Sequence, residues 1–138
     1  VKEIASQRTL AMTGYYKWRI MFGIPLPEID VQTLAEKLKS DEEFVLLDVR
    51  EADELLRAKI EDKRLGHAPL SQLAAQGTSV LPEPAQSQER TVYVLCHHGN
   101  RSTQVTRWLA QNGWTNVFNV HGGIDEYARK VDLKVGMY

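Results

Sequence analysis

The chain is short of cysteine, of net charge and of long apolar runs, and each shortage removes a class of protein. Cys96 is the single cysteine among 138 residues. One thiol forms no internal disulfide, which excludes a cystine-framed secreted scaffold and suits a reducing compartment, so a cytoplasmic location is expected. Lys and Arg total 17 against 18 Asp and Glu, a formal charge of -1. No global basic field is available to hold nucleic acid or an anionic membrane, and neither partner is expected. No run approaches the roughly 18 apolar residues of a membrane span. Internal repeats and low-complexity tracts are also missing. What is there, 43% hydrophobic and 25% charged residues, is the composition of a soluble globular protein. The length suits one domain, taken as a monomer, that buries roughly two-thirds of its unfolded surface without a structural metal.

Residues 1 to 27 read as a separate N-terminal arm and 28 to 138 as the domain. Pro25 and Pro27 interrupt any helix continuing from Tyr15 to Phe22. Lys2, Arg8, Lys17 and Arg19 outweigh Glu3 in the arm, as in a targeting remnant, which leaves a plastid or other organelle as the alternative location. Tyr15, Tyr16, Trp18 and Phe22 are suited to packing. Beyond the arm, Val31, Leu34, Ala35 and Leu38 form a helical stripe capped by Asp30. Phe44 to Leu47 is an apolar run that predicts a strand buried on both faces, ending at Asp48-Val49-Arg50. Ala52 to Ile60 predicts a helix with Leu55, Leu56 and Ile60 on its apolar face, followed by a charged surface stretch from Glu61 to Arg64. Gly66 to Leu70 reads as an extended turn, with Ser71 capping a short helix through Leu73, and Gly77 to Arg90 as a surface loop.

Thr91 to Leu95 is the next strand and runs directly into Cys96-His97-His98-Gly99-Asn100-Arg101-Ser102. A helix follows, with Val105, Trp108 and Leu109 facing inward and Gly113 as its stop. Val117 to Val120 supplies another strand, and Gly122-Gly123 turns it into a helix over Ile124 to Lys130. Strands alternating with helices imply an α/β fold with a parallel sheet and helices on both faces. In such sheets ligands bind at the carboxyl ends of the strands, which is where Cys96 falls.

A strand, a turn through Gly99 and a helix N-terminus direct several unpaired amides at one spot, an anion nest. A helix terminus offers up to about 2 kcal/mol to an anion, and each hydrogen bond to a charged acceptor roughly 1.5 to 3. Two such contributions sustain a thiolate nucleophile at neutral pH without help from His97, His98 or Arg101. A cysteine after a strand is otherwise most often a small buried hydrophobe. His97 and His98 invite a metal reading with Cys96, but adjacent side chains diverge and no second cluster completes a tetrahedral set, so no metal and no cofactor are expected. Arg101 is equally readable as a solvated helix residue.

Four blocks in order resemble a known family: Leu46 to Glu51, Gly66-His67, Cys96 to Ser102, and Gly122-Gly123-Ile124. From about residue 29 to 130 the chain is similar to single-domain rhodanese-like sulfurtransferases. The resemblance implies a five-stranded parallel sheet and a Cys96 that takes a sulfane sulfur from a donor, becomes a persulfide and passes the sulfur to a thiophilic acceptor. It further implies loop amides from His97 through Ser102 around the charge, and Asp48 and Arg50 bracing the site, although these two are also readable as a structural pair with Glu51 or Glu54. It implies as donor a small sulfane compound such as thiosulfate, or another persulfide, and as acceptor an external thiol, without naming either. Val131 to Tyr138 is similar to the tail of a subgroup that carries Cys-His-His-Gly loops and includes cyanobacterial and plastid proteins.

Two rivals remain. Cysteine phosphatases need Cys-x5-Arg, whereas Arg101 lies one position too early, so the loop suits one sulfur better than a phosphoryl group. A non-enzymatic binding or sulfur-relay module, in which the persulfide matters only with a protein partner, is compatible with the same residues.

Overall fold

A computed structural model describes residues 26 to 138. Tyr15 to Phe22 and nearly all of the expected arm therefore lie outside the described residues. Five strands, β1 (Glu28–Ile29), β2 (Val45–Asp48), β3 (Leu65–His67), β4 (Val92–Leu95) and β5 (Val117–Val120), form one all-parallel sheet in the order β1-β5-β4-β2-β3. The helices are α1 (Val31–Lys39), α2 (Ala52–Leu55), α3 (Leu70–Gln76), α4 (Asn100–Gln111) and α5 (Gly123–Lys130).

The unbroken apolar strands follow from burial on both faces. On one face Val45, Leu47, Val92, Val94 and Val117 join Leu73 of α3 with Val105 and Leu109 of α4. On the other, Phe44, Leu46, Tyr93, Leu95 and Val120 join Val31 and Leu34 of α1 with Ile124 and Tyr127 of α5. Strand alternation continues past Leu95, so Cys96 falls on the α4 face with Val92 and Val94. The central strand thus delivers the thiol to the start of α4.

Asp30 caps α1 as expected, its Oδ1 accepting from the Thr33 amide at 2.7 Å. Gly113 follows the end of α4 with φ of 105°, the left-handed stop expected there.

Other expectations need correction. The helix predicted over 52 to 60 stops at Leu55, and Leu56 is 90% exposed while Ile60 is buried. Beyond Leu55 the Lys59 amide donates to the Val135 carbonyl at 2.8 Å, and the carbonyls of Glu54 and Ala58 also accept from Arg50 at 3.2 and 2.8 Å. The stretch ending at Arg64 is not a free surface: Arg64 donates to the carbonyls of Leu38, Ser40 and Glu42 at 2.8 to 3.0 Å and lies over the Phe44 ring at 4.4 Å. Leu65 to His67 is a strand, read from sequence only as a turn; three residues are too few to carry a periodicity. Pro69, not Ser71, precedes α3, and Ser71 Oγ donates to Glu51 Oε1 at 2.6 Å. The 77 to 90 segment holds two 3-10 turns, Gly77–Val80 and Glu83–Gln86, which bury Leu81 and Ala85.

Candidate active site

The loop turns at Gly99, whose φ of 110° is open to glycine at little cost and leads straight into α4. This brings the Gly99 amide back to Cys96, where it donates to Sγ at 3.0 Å. The thiol donates to Ser102 Oγ at 3.2 Å. Cys96 itself is 1% exposed. Its backbone side belongs to the apolar cluster of the α4 face, while its sulfur meets an amide and a hydroxyl. Of the six loop residues expected around the sulfur, Gly99 and Ser102 contact it through hydrogen bonds.

A second helix terminus holds the loop from beneath. The amides of Ile124 and Asp125 donate to the carbonyls of Cys96 and His97 at 2.9 and 3.1 Å. Gly123 makes this approach possible: its φ is 65°, and a Cβ there would stand 2.6 Å from the Cys96 oxygen.

His97 and His98 do not diverge as expected. Their ring centroids lie 3.8 Å apart with the planes tilted by 32°, and Tyr138 stacks on His97 at 3.8 Å and 10°. Burial, then the neighbouring His98, pushes the His97 pKa down. His97, His98 and Asp125 could offer ligand atoms within 4.8 Å of one another, but Asp125 already accepts from Arg129 at 2.9 Å. Asn100 is exposed at the start of α4.

Arg101 is not a freely solvated residue. It grips Glu54 with both terminal nitrogens at 2.7 and 2.8 Å. Glu54 also accepts from the Glu51 amide at 2.9 Å and from the Tyr138 hydroxyl at 3.0 Å. The Arg101 hydrogen bonds hold the Glu54 carboxyl down at about 2, and Glu54 in turn raises Arg101. The edge of the guanidinium formed by its two terminal nitrogens is thus committed to Glu54 rather than to an oxyanion at the loop.

Asp48 and Arg50 pair with each other rather than with Glu51 or Glu54. Nη2 of Arg50 lies 2.7 Å from Asp48 Oδ2, and both side chains are fully buried. The remaining Arg50 donors reach Glu54 O, Ala58 O and the Tyr138 hydroxyl, and His67 Nε2 meets the Arg50 carbonyl at 2.6 Å. This pair ties the end of β2 to β3, α2 and the tail.

Tyr138, Asn119 and Glu28 were not singled out from sequence, and Glu54 was named only as a possible partner of Asp48 and Arg50. A glutamate three positions after Glu51 is a helix-start signal that could have drawn attention to Glu54. The other three reach the site from distant stretches of the chain. Asn119 on β5 accepts the Ser102 hydroxyl at 2.5 Å and donates to Glu28 of β1 at 2.7 Å.

The chain is a parallel α/β domain whose central strand feeds one cysteine into a loop at a helix start, where a backbone amide and a hydroxyl meet the sulfur. The rhodanese-like domain model matches residues 30 to 130, and the chain belongs to that family. Over 117 residues it is 32% identical to the rhodanese-like/PpiC domain-containing protein 12, chloroplastic, of Arabidopsis thaliana, covering 83% of this chain and 38% of that protein. It is 29% identical to the putative sulfur carrier protein YrkF of Bacillus subtilis, covering 78% of this chain and 54% of that one. It is also 29% identical to a sulfurtransferase of Allochromatium vinosum, covering 74% and 88%. The chain thus spans less than two-thirds of the first two relatives. A rhodanese-related protein from Thermoplasma volcanium superposes with a TM-score of 0.62 at 28% identity, covering 76% of this chain and 93% of that one. Among the described residues no helix is long and apolar enough to cross a membrane.

Proposed function

We propose that the chain is a rhodanese-type sulfurtransferase of the Cys-His-His-Gly loop subgroup, with Cys96 as its nucleophile. The observation that carries this reading is the Cys96 sulfur at the end of the central strand, accepting the Gly99 amide at 3.0 Å where α4 begins. The thiolate attacks the outer sulfur of a donor such as thiosulfate or another persulfide. A bond forms from Sγ to that sulfur, and the broken donor bond leaves its electron pair on the departing group, sulfite in the case of thiosulfate. The new sulfur sits about 2 Å beyond Sγ and carries the charge. It is the atom that the remaining loop amides, from His97 through Ser102, serve. A thiophilic acceptor, an external thiol in the cell or cyanide in an assay, then attacks the outer sulfur and returns the pair to Cys96.

Asn100, Arg101 and Ser102 open the helix whose dipole steadies the anion. Asp48 and Arg50 brace the strand end beside the loop. A reducing compartment, cytoplasmic or plastid, keeps Cys96 available as a thiol.

Intact mass spectrometry after mixing with thiosulfate tests the proposal. A gain of about 32 Da that a reductant removes is expected, and its absence with every sulfane donor defeats the reading. Cys96→Ala is expected to keep the fold and take up no sulfur.

A second reading, a relay module that transfers sulfur inside a protein complex, is favoured by one observation. Cys96 is 1% exposed, so donor and acceptor depend on surfaces around the loop to reach it. The sulfur-carrier name of the Bacillus subtilis relative is in keeping with this.

A further inference from the structure

Asn119 is a buried polar residue that the sulfur chemistry above leaves unused. It lies on β5 two residues after Val117, on the face shared with Cys96, and is 2% exposed. Its carboxamide has one orientation. Nδ2 donates to Glu28 Oε2 at 2.7 Å, and an ionised carboxylate only accepts, so Oδ1 is the atom turned to Ser102. Ser102 Oγ lies 2.5 Å from that Oδ1 and 3.1 Å from the Gly99 carbonyl, and the shorter contact to Asn119 is the one that takes its proton. The Ser102 oxygen therefore faces Cys96 with its lone pairs and accepts from the thiol at 3.2 Å.

We propose that Asn119 is a positioning residue which, through the Ser102 hydroxyl, retains sulfur on Cys96; this rests on the sulfur-transfer reading. On discharge the acceptor's electron pair forms a bond to the outer sulfur. The S–S bond breaks, its pair stays on Sγ as a thiolate, and that thiolate then takes a proton from solvent. An anionic Sγ calls for hydrogen-bond donors, and the Gly99 amide is one. Ser102 becomes a second only by turning its proton away from Asn119. In the persulfide the inner sulfur is uncharged and asks for no donor, so the Ser102–Asn119 bond stands. The chain of bonds from Glu28 to Ser102 thus favours the loaded form over the discharged anion and slows departure of the Cys96 thiolate.

The test loads the protein with thiosulfate, adds cyanide and follows loss of the extra sulfur by intact mass. Asn119→Ala is expected to discharge about fivefold faster, the factor that one neutral hydrogen bond commands. Glu28→Ala removes a side chain that is 45% exposed and opens no cavity. It frees the carboxamide to turn its NH2 toward Ser102, and acceleration in the same direction is expected. In a Ser102→Ala background neither substitution should alter the rate. Unchanged discharge in both single variants overturns the proposal, as does acceleration that persists without Ser102, since that marks a general structural disturbance. If the unaltered protein takes up no sulfur from any donor, the sulfur-transfer reading fails separately. Iodoacetamide alkylation of Cys96 then decides the positioning role: faster in both variants only when Ser102 is present supports it, and equal rates overturn it.

Discussion

Arg50 is a wholly buried charge, and among the described residues the equally buried Asp48 balances it. Removing one partner of such a pair strands the other in a medium that does not solvate it. Asp48→Ala is therefore expected to lower stability by about 3 to 5 kcal/mol, read from urea unfolding. Glu54 is a partly buried charge held by several partners. Its carboxyl pKa falls from 4.5 to about 2, first through the Arg101 hydrogen bonds. A lowered folded pKa means stability that is fully present above the ordinary glutamate value and is lost as pH drops through the folded one. The stability advantage of the native chain over Glu54→Gln is thus expected to shrink between about pH 4.5 and pH 2. Chemical denaturation at stepped pH checks it, and a constant difference across that range contradicts the assignment.

At the scale of elements, two helix starts meet at one loop. The start of α4 follows Cys96 in the chain, and the strand-to-helix sequence made it visible. The start of α5 lies more than twenty residues further on, and its amides hold the Cys96 and His97 carbonyls. Gly122-Gly123 was legible as a turn, but the closeness of Gly123 to the loop was not, because a contact between elements leaves no periodicity. Gly123→Ala places a Cβ against the loop carbonyls at a φ of 65°. The left-handed conformation alone costs a non-glycine residue about 1 to 3 kcal/mol. Thermal unfolding is expected to shift downward, and sulfur uptake at Cys96 to fall further than stability does. The premature end of α2 is similar in kind: helix propensity favoured residues 52 to 60, but the Lys59 amide goes to the Val135 carbonyl of the distant tail and the Ala58 carbonyl to Arg50.

At the scale of the whole molecule, the tail returns to the site. The Tyr138 hydroxyl accepts from Arg50 at 3.0 Å and donates to Glu54 at 3.0 Å, across 88 and 84 positions of chain. Its ring stacks on His97. Tyr138→Ala is expected to cost about 3 kcal/mol, the sum of one stacking contact and two net hydrogen bonds, whereas Tyr138→Phe retains the stack and loses about 2. Equal unfolding midpoints for the two variants would contradict this division. The sheet order has the same long-range character, since it sets β1 beside β5 and so brings Glu28 to Asn119.

The amino-acid sequence by itself determined the alternation of strands and helices, the burial of β2 on both faces, and the placing of one cysteine at a strand end before a helix. These features repeat over a few residues, where backbone geometry and local polarity act directly. Only the tertiary structure decided which amide and which hydroxyl meet the sulfur, that Asp48 pairs with Arg50, and that Glu54 holds Arg101. It also decided that Asn119 and Tyr138 take part at all. Buried polar groups must find partners wherever the packed chain supplies them, and that search runs across the sheet rather than along the sequence.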